Sequence, residues 1–179
     1  NFGQVQAGQK VLINGAGGGS GTFAVQIAKL LGAEVTGVDS TKKLTMMESL
    51  GADHVIDYML EDVTKNGEQY DLILDLVAAH SVFDYKRILS PKGKYYLVGG
   101  SVSYILKTMI FGAFISLNSK RKMQIIGIKP NQGLEDIIEL IDSGKIKSVI
   151  DKRYSLSEVP EAMQYLSEGL AIGKVVIAV

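Results

Sequence analysis

The 179-residue sequence contains no cysteine and no tryptophan, three prolines and only two histidines. Without cysteine the chain has no disulfide framework, no thiolate nucleophile and no Cys-ligated zinc site of its own. It has no excess of either charge: 19 Lys and Arg balance 19 Asp and Glu. That balance argues against nucleic acid or an anionic membrane surface as the main partner. No basic stretch leading into an apolar run stands at the N-terminus, so a secretory leader is not expected and the reading is of a cytoplasmic chain. The longest apolar stretch, Met109–Leu117, is far short of the roughly 20 residues a membrane-spanning helix needs, and reads as a buried or groove-lining helix. Lys120-Arg121-Lys122, the one charge run, reads as a solvated surface turn. The composition is otherwise that of a globular protein, 46% hydrophobic and 21% charged.

Glycine is abundant, with 20 residues. Five of them fall within seven positions, Gly15-Ala16-Gly17-Gly18-Gly19-Ser20-Gly21. This cluster lies between a short apolar run, Val11-Leu12-Ile13, and a segment of helical periodicity, Thr22–Leu31. Further strand candidates follow at Glu34–Val38, His54–Tyr58, Leu72–Leu76, Tyr95–Val98 and Ile125–Ile128. Helical segments alternate with them at Lys42–Leu50, Ser81–Leu89 (stopped by Ser90-Pro91-Lys92-Gly93) and Leu134–Ile141. Such alternation predicts an α/β fold, a doubly wound parallel sheet covered by helices on both faces. Right-handed crossovers leave that topology as the simplest. A tail over residues 146–179 adds a strand at Ser148–Tyr154, a helix entered through Pro160, and a last strand at Val175–Val179.

A glycine loop between first strand and first helix permits close approach of backbone to a pyrophosphate, at a helix end that favours an anion. Asp39 closes the second strand 18 residues after Gly21, near where a dinucleotide fold places the acid that accepts from a ribose diol. A triphosphatase loop would need Gly-Lys-Ser/Thr, but Gly21 is followed by Thr22-Phe23. A hydrolase nucleophile elbow fails because Gly18-Gly19-Ser20-Gly21 ends in Thr22 rather than glycine. Ser20 therefore reads as a helix-start residue beside phosphate. The loop also matches Gly-x-x-x-Gly-x-Gly of short-chain dehydrogenases, yet no tyrosine here has a lysine four residues later. A methyltransferase, whose glycine loop serves another adenosine ligand, is the third and weakest class.

The combination resembles the medium-chain dehydrogenase/reductase family, especially its quinone-oxidoreductase-like and zinc-binding-dehydrogenase members. The resemblance is carried by Gln6–Ile13, the glycine loop with Ala24–Lys29, Leu50–Tyr58, Tyr70–Asp75, Gly93-Lys94, Leu97–Gly100 and Gly173–Ile177. It implies a Rossmann-type NAD(P)-binding domain over residues 1–145 and a C-terminal remnant of the catalytic lobe over 146–179. Ala16, Gly18, Gly19, Ser20 and Gly21 would lie against the pyrophosphate. Asp39, Ser40, Lys43 and Tyr58 would surround the adenosine ribose, and Val77 and Ala78 would border the adenine side. Val98, Gly99 and Gly100 would lie beside the nicotinamide. Asp39 favours the free 2′-hydroxyl of NAD, whereas Lys43, Tyr58 and Ser40 match positions that hold the 2′-phosphate of NADP, so the cofactor reads as NAD or NADP.

The resemblance implies hydride transfer to or from a carbonyl, enone, quinone or alcohol, with a small-molecule substrate bound in the complete protein. Relatives carry an N-terminal catalytic lobe that supplies most of the substrate pocket, and none precedes the first strand here. The expectation is a cofactor-binding part inactive by itself; the alternative is a stand-alone dinucleotide-binding module used for sensing or structure. No metal ligands and no acid–base catalyst are identified; His54 and His80 read as structural or solvated. The tail is expected to expose Val149, Ile150, Val175 and Ile177 and to promote self-association.

Overall fold

A computed structural model describes residues 5–127 and 131–179. Six strands form one sheet: β1 (Lys10–Asn14), β2 (Glu34–Asp39), β3 (His54–Asp57), β4 (Tyr70–Asp75), β5 (Leu89–Leu97) and β6 (Lys122–Ile125). Their order is β3-β2-β1-β4-β5-β6 and every neighbouring pair is parallel. The sequence order reverses between β1 and β4, so loops leaving the carboxyl ends of those strands flank a crevice. The central strands are continuous apolar runs because a parallel sheet is buried on both faces; Leu12, Ile73 and Leu97 are fully buried.

The helices are α1 (Gly21–Leu30), α2 (Leu44–Ser49), α3 (Val82–Ile88), α4 (Val102–Asn118), α5 (Leu134–Asp142) and α6 (Val159–Ser167). Local chemistry sets several of their ends. Ser81 and Asp84 form a reciprocal capping box on α3, and the Ser101 hydroxyl accepts from the Tyr104 N–H at the start of α4. Pro160 sits in the first turn of α6, where no N–H is needed. Strands β7 (Ile150–Ser155) and β8 (Lys174–Ala178) make a separate parallel pair.

Four expectations require correction. The sixth strand is Lys122–Ile125, three residues upstream of the predicted start, with Ile128 outside the described residues. The charge run is consequently not a free turn, because Lys122 opens β6 and the Arg121 Nε donates to the Leu89 carbonyl at 2.9 Å. Ser90–Gly93 does not separate helix from strand either. β5 follows α3 directly, and its irregularity is a register shift opposite Tyr70–Leu72. Finally, the apolar stretch Met109–Leu117 is mostly exposed: of α4, Thr108, Gly112 and Ile115 are buried, and Tyr104 and Ile105 pack partly against the core.

The tail is tied to the sheet domain rather than hanging from it. The Gln26 side chain on α1 donates to the Lys147 carbonyl (3.0 Å) and accepts from the Lys147 N–H (2.8 Å). The Gly173 N–H donates to the Gly17 carbonyl at 2.9 Å, and Gly18 and Gly173 form an isolated parallel bridge. Val149 accordingly packs against the hydrophobic core, Val175 and Ile177 are half-buried, and Ile150 is the one of the four expected residues that is exposed.

Gly173 has φ +86°, and a Cβ there would lie 2.6 Å from the Val149 carbonyl oxygen. Gly169 has φ +69° with open space around it. Gly169→Ala is expected to cost about 1–2 kcal/mol from backbone strain alone. Gly173→Ala should cost more, because strain and collision add. Urea unfolding midpoints of the two variants check the difference.

Candidate functional site

The glycine loop runs from the end of β1 into α1. Gly15 and Ala16 donate their N–H groups to the Val38 carbonyl at 2.9 and 3.1 Å, and Gly17 donates to Asp39 Oδ2 at 2.9 Å. The loop is therefore fastened to the end of β2. Gly21 must be glycine because a Cβ would sit 2.1 Å from the Gly15 carbonyl oxygen. Ala16 is fully buried and its methyl joins the core, so only its backbone is available to the crevice. Ser20 is exposed and begins α1 without a side-chain capping bond. Among the described residues, the N–H groups of Gly19 and Ser20 donate to no backbone or side-chain acceptor. Two N–H donors, a hydroxyl and the positive end of a ten-residue helix converge here, which is the chemistry that holds a phosphate.

At the end of β2, Asp39 is buried and fully engaged. It accepts from Gly17 N and Ser40 N and pairs with the Lys43 ammonium at 3.1 Å. Lys43 is itself buried, its stem lying 2.6 Å from where a Cβ on Gly17 would be, so it is not a solvated helix lysine. The Tyr58 N–H donates to the Asp39 carbonyl at 3.2 Å, while its ring is 59% exposed. Ser40 is half-buried beside them. The structure thus brings Asp39, Ser40, Lys43 and Tyr58 together, with acid and base neutralising one another.

The β4 and β5 loops complete the crevice. A Cβ on Gly15 would lie 2.7 Å from Val77, and one on Gly100 would lie 3.0 Å from the Ala78 methyl, so three loops meet. Val77 is exposed, Ala78 has a positive φ of 61°, and Gly99 and Gly100 are exposed beyond half-buried Val98. An apolar groove of about 670 Å³ runs down the α1 face of the sheet and touches the crevice at Ser20 and Val98. It is lined largely by sheet residues such as Ile13, Leu72 and Tyr96, with α5 along one side. The groove is open because α5 buries none of its side chains.

Sequence reasoning missed two features. Lys174 places its ammonium 3.0 Å from the position of a Cβ on Gly19, which brings a cation from the tail to the phosphate end of the loop. The Gly-Lys pair is visible in the sequence, but nothing local shows where the chain returns. Asp75, with 0% exposure, is the second. It accepts from Asn14 Nδ2 (3.0 Å), Tyr95 OH (2.8 Å), Val77 N (3.2 Å) and Ala78 N (2.9 Å). Asn14 also donates to Tyr85 OH at 2.8 Å, the Tyr95 and Tyr104 hydroxyls lie 3.3 Å apart, and Tyr104 OH donates to the His80 carbonyl. His80 stacks edge-on with Tyr85, and exposed His54 pairs with Glu34. Among the described residues no group of three or more Asp, Glu or His is placed to hold a metal ion.

Burial first, then the Asp75 charge, raises the ionisation of Tyr85 and Tyr95 well above the usual phenol range. Burial pushes Tyr104 up to about 12. A folded-state pKa above the unfolded value stabilises the fold below about pH 10, and that stabilisation is lost as pH rises through the folded value. Urea midpoints should therefore fall between pH 10 and 12, and Tyr104→Phe should flatten the decline.

Residues 50–177 match the family model described as zinc-binding dehydrogenase. The chain is 31% identical to the chloroplastic quinone-oxidoreductase QR1 of Triphysaria versicolor, over 94% of this chain and 52% of that protein. It is 30% identical to the mitochondrial NAD(P)H oxidoreductase of Danio rerio, over 97% of this chain and 50% of that protein. The solved quinone oxidoreductase of Coxiella burnetii superposes with a TM-score of 0.83 at 25% identity, over 98% of this chain and 54% of that one. The chain thus spans about half the length of the relatives it matches. The family match covers well over half of the chain and the relatives extend it through the glycine loop, so the chain belongs to the zinc-binding dehydrogenase family.

Proposed function

We propose that this chain binds a nicotinamide dinucleotide and is the cofactor-binding part of an oxidoreductase that transfers hydride to or from a carbonyl, enone, quinone or alcohol. The observation that carries the reading is the glycine loop: two unengaged N–H groups and an exposed Ser20 at a helix start, with no room for a side chain at Gly21. Gly18, Gly19, Ser20 and Gly21 hold the pyrophosphate, with the Ala16 backbone beneath and Lys174 as a further cation. Asp39, Ser40, Lys43 and Tyr58 take the adenosine ribose, Val77 and Ala78 border the adenine side, and Val98, Gly99 and Gly100 lie beside the nicotinamide. The dinucleotide supplies the hydride when bound. This chain's residues bind and orient it, since transfer depends mainly on positioning.

The Asp39–Lys43 pair bears on the choice between NAD and NADP. An isolated Asp39 would repel a 2′-phosphate, but here its charge is matched by Lys43 at 3.1 Å and its oxygens are occupied. A pocket of this kind accepts both dinucleotides, Lys43 turning from Asp39 toward the phosphate of NADP. The names of the relatives, one a quinone-oxidoreductase and one an NAD(P)H oxidoreductase, support the substrate class and leave the cofactor open. Residues 1–145 are read as the cofactor-binding domain and 146–179 as the segment that returns to a catalytic lobe. A second reading, a dinucleotide-binding module without turnover, is favoured by the engagement of the side chain beside Gly100: the Tyr104 hydroxyl is tied to Tyr95 and to the His80 carbonyl.

Dissociation constants for NADH and NADPH, from quenching of tyrosine emission, test the assignment. Lys43→Ala should weaken NADPH about tenfold or more relative to NADH, the size of a lost charge-assisted hydrogen bond. Asp39→Gly should weaken NADH more than NADPH, since it removes the ribose acceptor and the Gly17 anchor together. If neither change moved the ratio, the ribose pocket would lie elsewhere. Hydride transfer to a quinone by this chain alone would remove the non-enzymatic reading.

A further inference from the structure

Helix α4 presents an apolar face that none of the described residues covers. Its inward side is small, with Gly112 against Met123, while Leu106, Met109, Ile110, Phe114 and Leu117 are 52%, 57%, 66%, 62% and 86% exposed. These residues recur at helical spacing and form one stripe about 17 Å long. Phe111 extends it sideways by packing on Phe83 of α3 with ring centroids 5.3 Å apart. Exposed apolar surface of this extent marks an interaction site.

The neutral total charge hides a segregation along the sequence, with Asp84, next to Phe83, as the acid at one edge of the stripe. Between Asp84 and Glu135 the sequence contains nine Lys and Arg and no acidic residue, so all 19 acids lie outside that stretch. Lys107 on α4 and Lys120 and Lys122 just beyond its end are exposed. A long apolar stripe with a cationic border is the pattern of a helix lying in the plane of a membrane surface. No helix of the described residues is long and apolar enough to cross a membrane. Two copies of the chain meeting through this face would bring the like-charged borders together, which opposes self-pairing.

We propose that the outer face of α4 docks on an anionic lipid surface, with its apolar stripe at the headgroup–acyl boundary and its lysines on lipid phosphates. The average charge argued against such a partner because averaging removed the segregation. If the dinucleotide assignment above is right, Gly99 and Gly100, which immediately precede α4, would then open toward the bilayer, and the acceptor would be a lipophilic quinone or enone. The docking itself does not rest on that assignment, and its test contains no dinucleotide, so the two can fail separately.

The test is sedimentation of the 179-residue chain with vesicles of phosphatidylcholine alone or mixed with phosphatidylglycerol. The chain should pellet with the mixed vesicles, be released by high salt, and stay in solution with the neutral ones. Replacing Lys107, Lys120 and Lys122 together by Gln should weaken partitioning on the order of a hundredfold. Phe114→Ser should weaken it further while circular dichroism and the urea midpoint stay near those of the parent. Equal binding to neutral and anionic vesicles, no binding to either, or binding unaffected by these variants would overturn the proposal. So would a dimer in sedimentation velocity that Ile110→Glu dissociates, which would give the face to a second copy.

Discussion

A carboxylate with no exposure to water survives only if every lone pair it presents is met by a donor, and Asp75 sets that condition at the centre of this molecule. Its donors come from β1 through Asn14, from β5 through Tyr95, and from the loop that follows β4 itself. Satisfying it fixes the spacing of three neighbouring strands at their carboxyl ends and holds Ala78 in a left-handed conformation. It also recruits Tyr85 of α3 and Tyr104 of α4 into one connected group of hydroxyls. The crevice walls are thus set by a polar knot placed inside an otherwise apolar core.

A second carboxylate does comparable work one strand away. Asp39 joins the glycine loop to the end of β2 through Gly17 and draws Lys43 inward, so the loop and the ribose corner move as one piece. The two acids differ in what they leave available. Asp75 is enclosed and structural, whereas Asp39 sits where Ser40 and the exposed Tyr58 open the corner to solvent.

The alternation of apolar runs with helical periodicity made the sheet legible, because burial on both faces leaves its mark on every central strand. β6 was less legible: Lys122 and Gln124 alternate with Met123 and Ile125 at a sheet edge, and the apolar Ile125-Ile126 beyond them is the stronger signal. The glycine loop, Asp39 and the β5 glycines could be read because each lies within one strand–turn unit. Asp75's side-chain partners could not, since they lie 20 and 61 residues away. The exposure of α4 was hidden for another reason. An apolar helix looks the same in sequence whether its second face meets protein or water, and only the packing of Gly112 against β6 shows which face is occupied.

The bridge between Gly18 and Gly173 has a consequence for how the protein is made. During synthesis the chain emerges from its N-terminus, and β1, α1 and β2 can pair as soon as they are free. The glycine loop cannot reach its final shape then, because Gly17 waits for an N–H some 150 residues downstream and Gly19 for the neighbouring lysine. The strand–loop–helix unit that comes earliest in this stretch of chain is therefore finished only once the segment around Gly173 is in place. A ribosome-bound chain stopped before residue 173 would carry a folded sheet with an unset loop, and capture of a phosphate ligand would report the arrival of that later segment rather than the folding of β1 and α1.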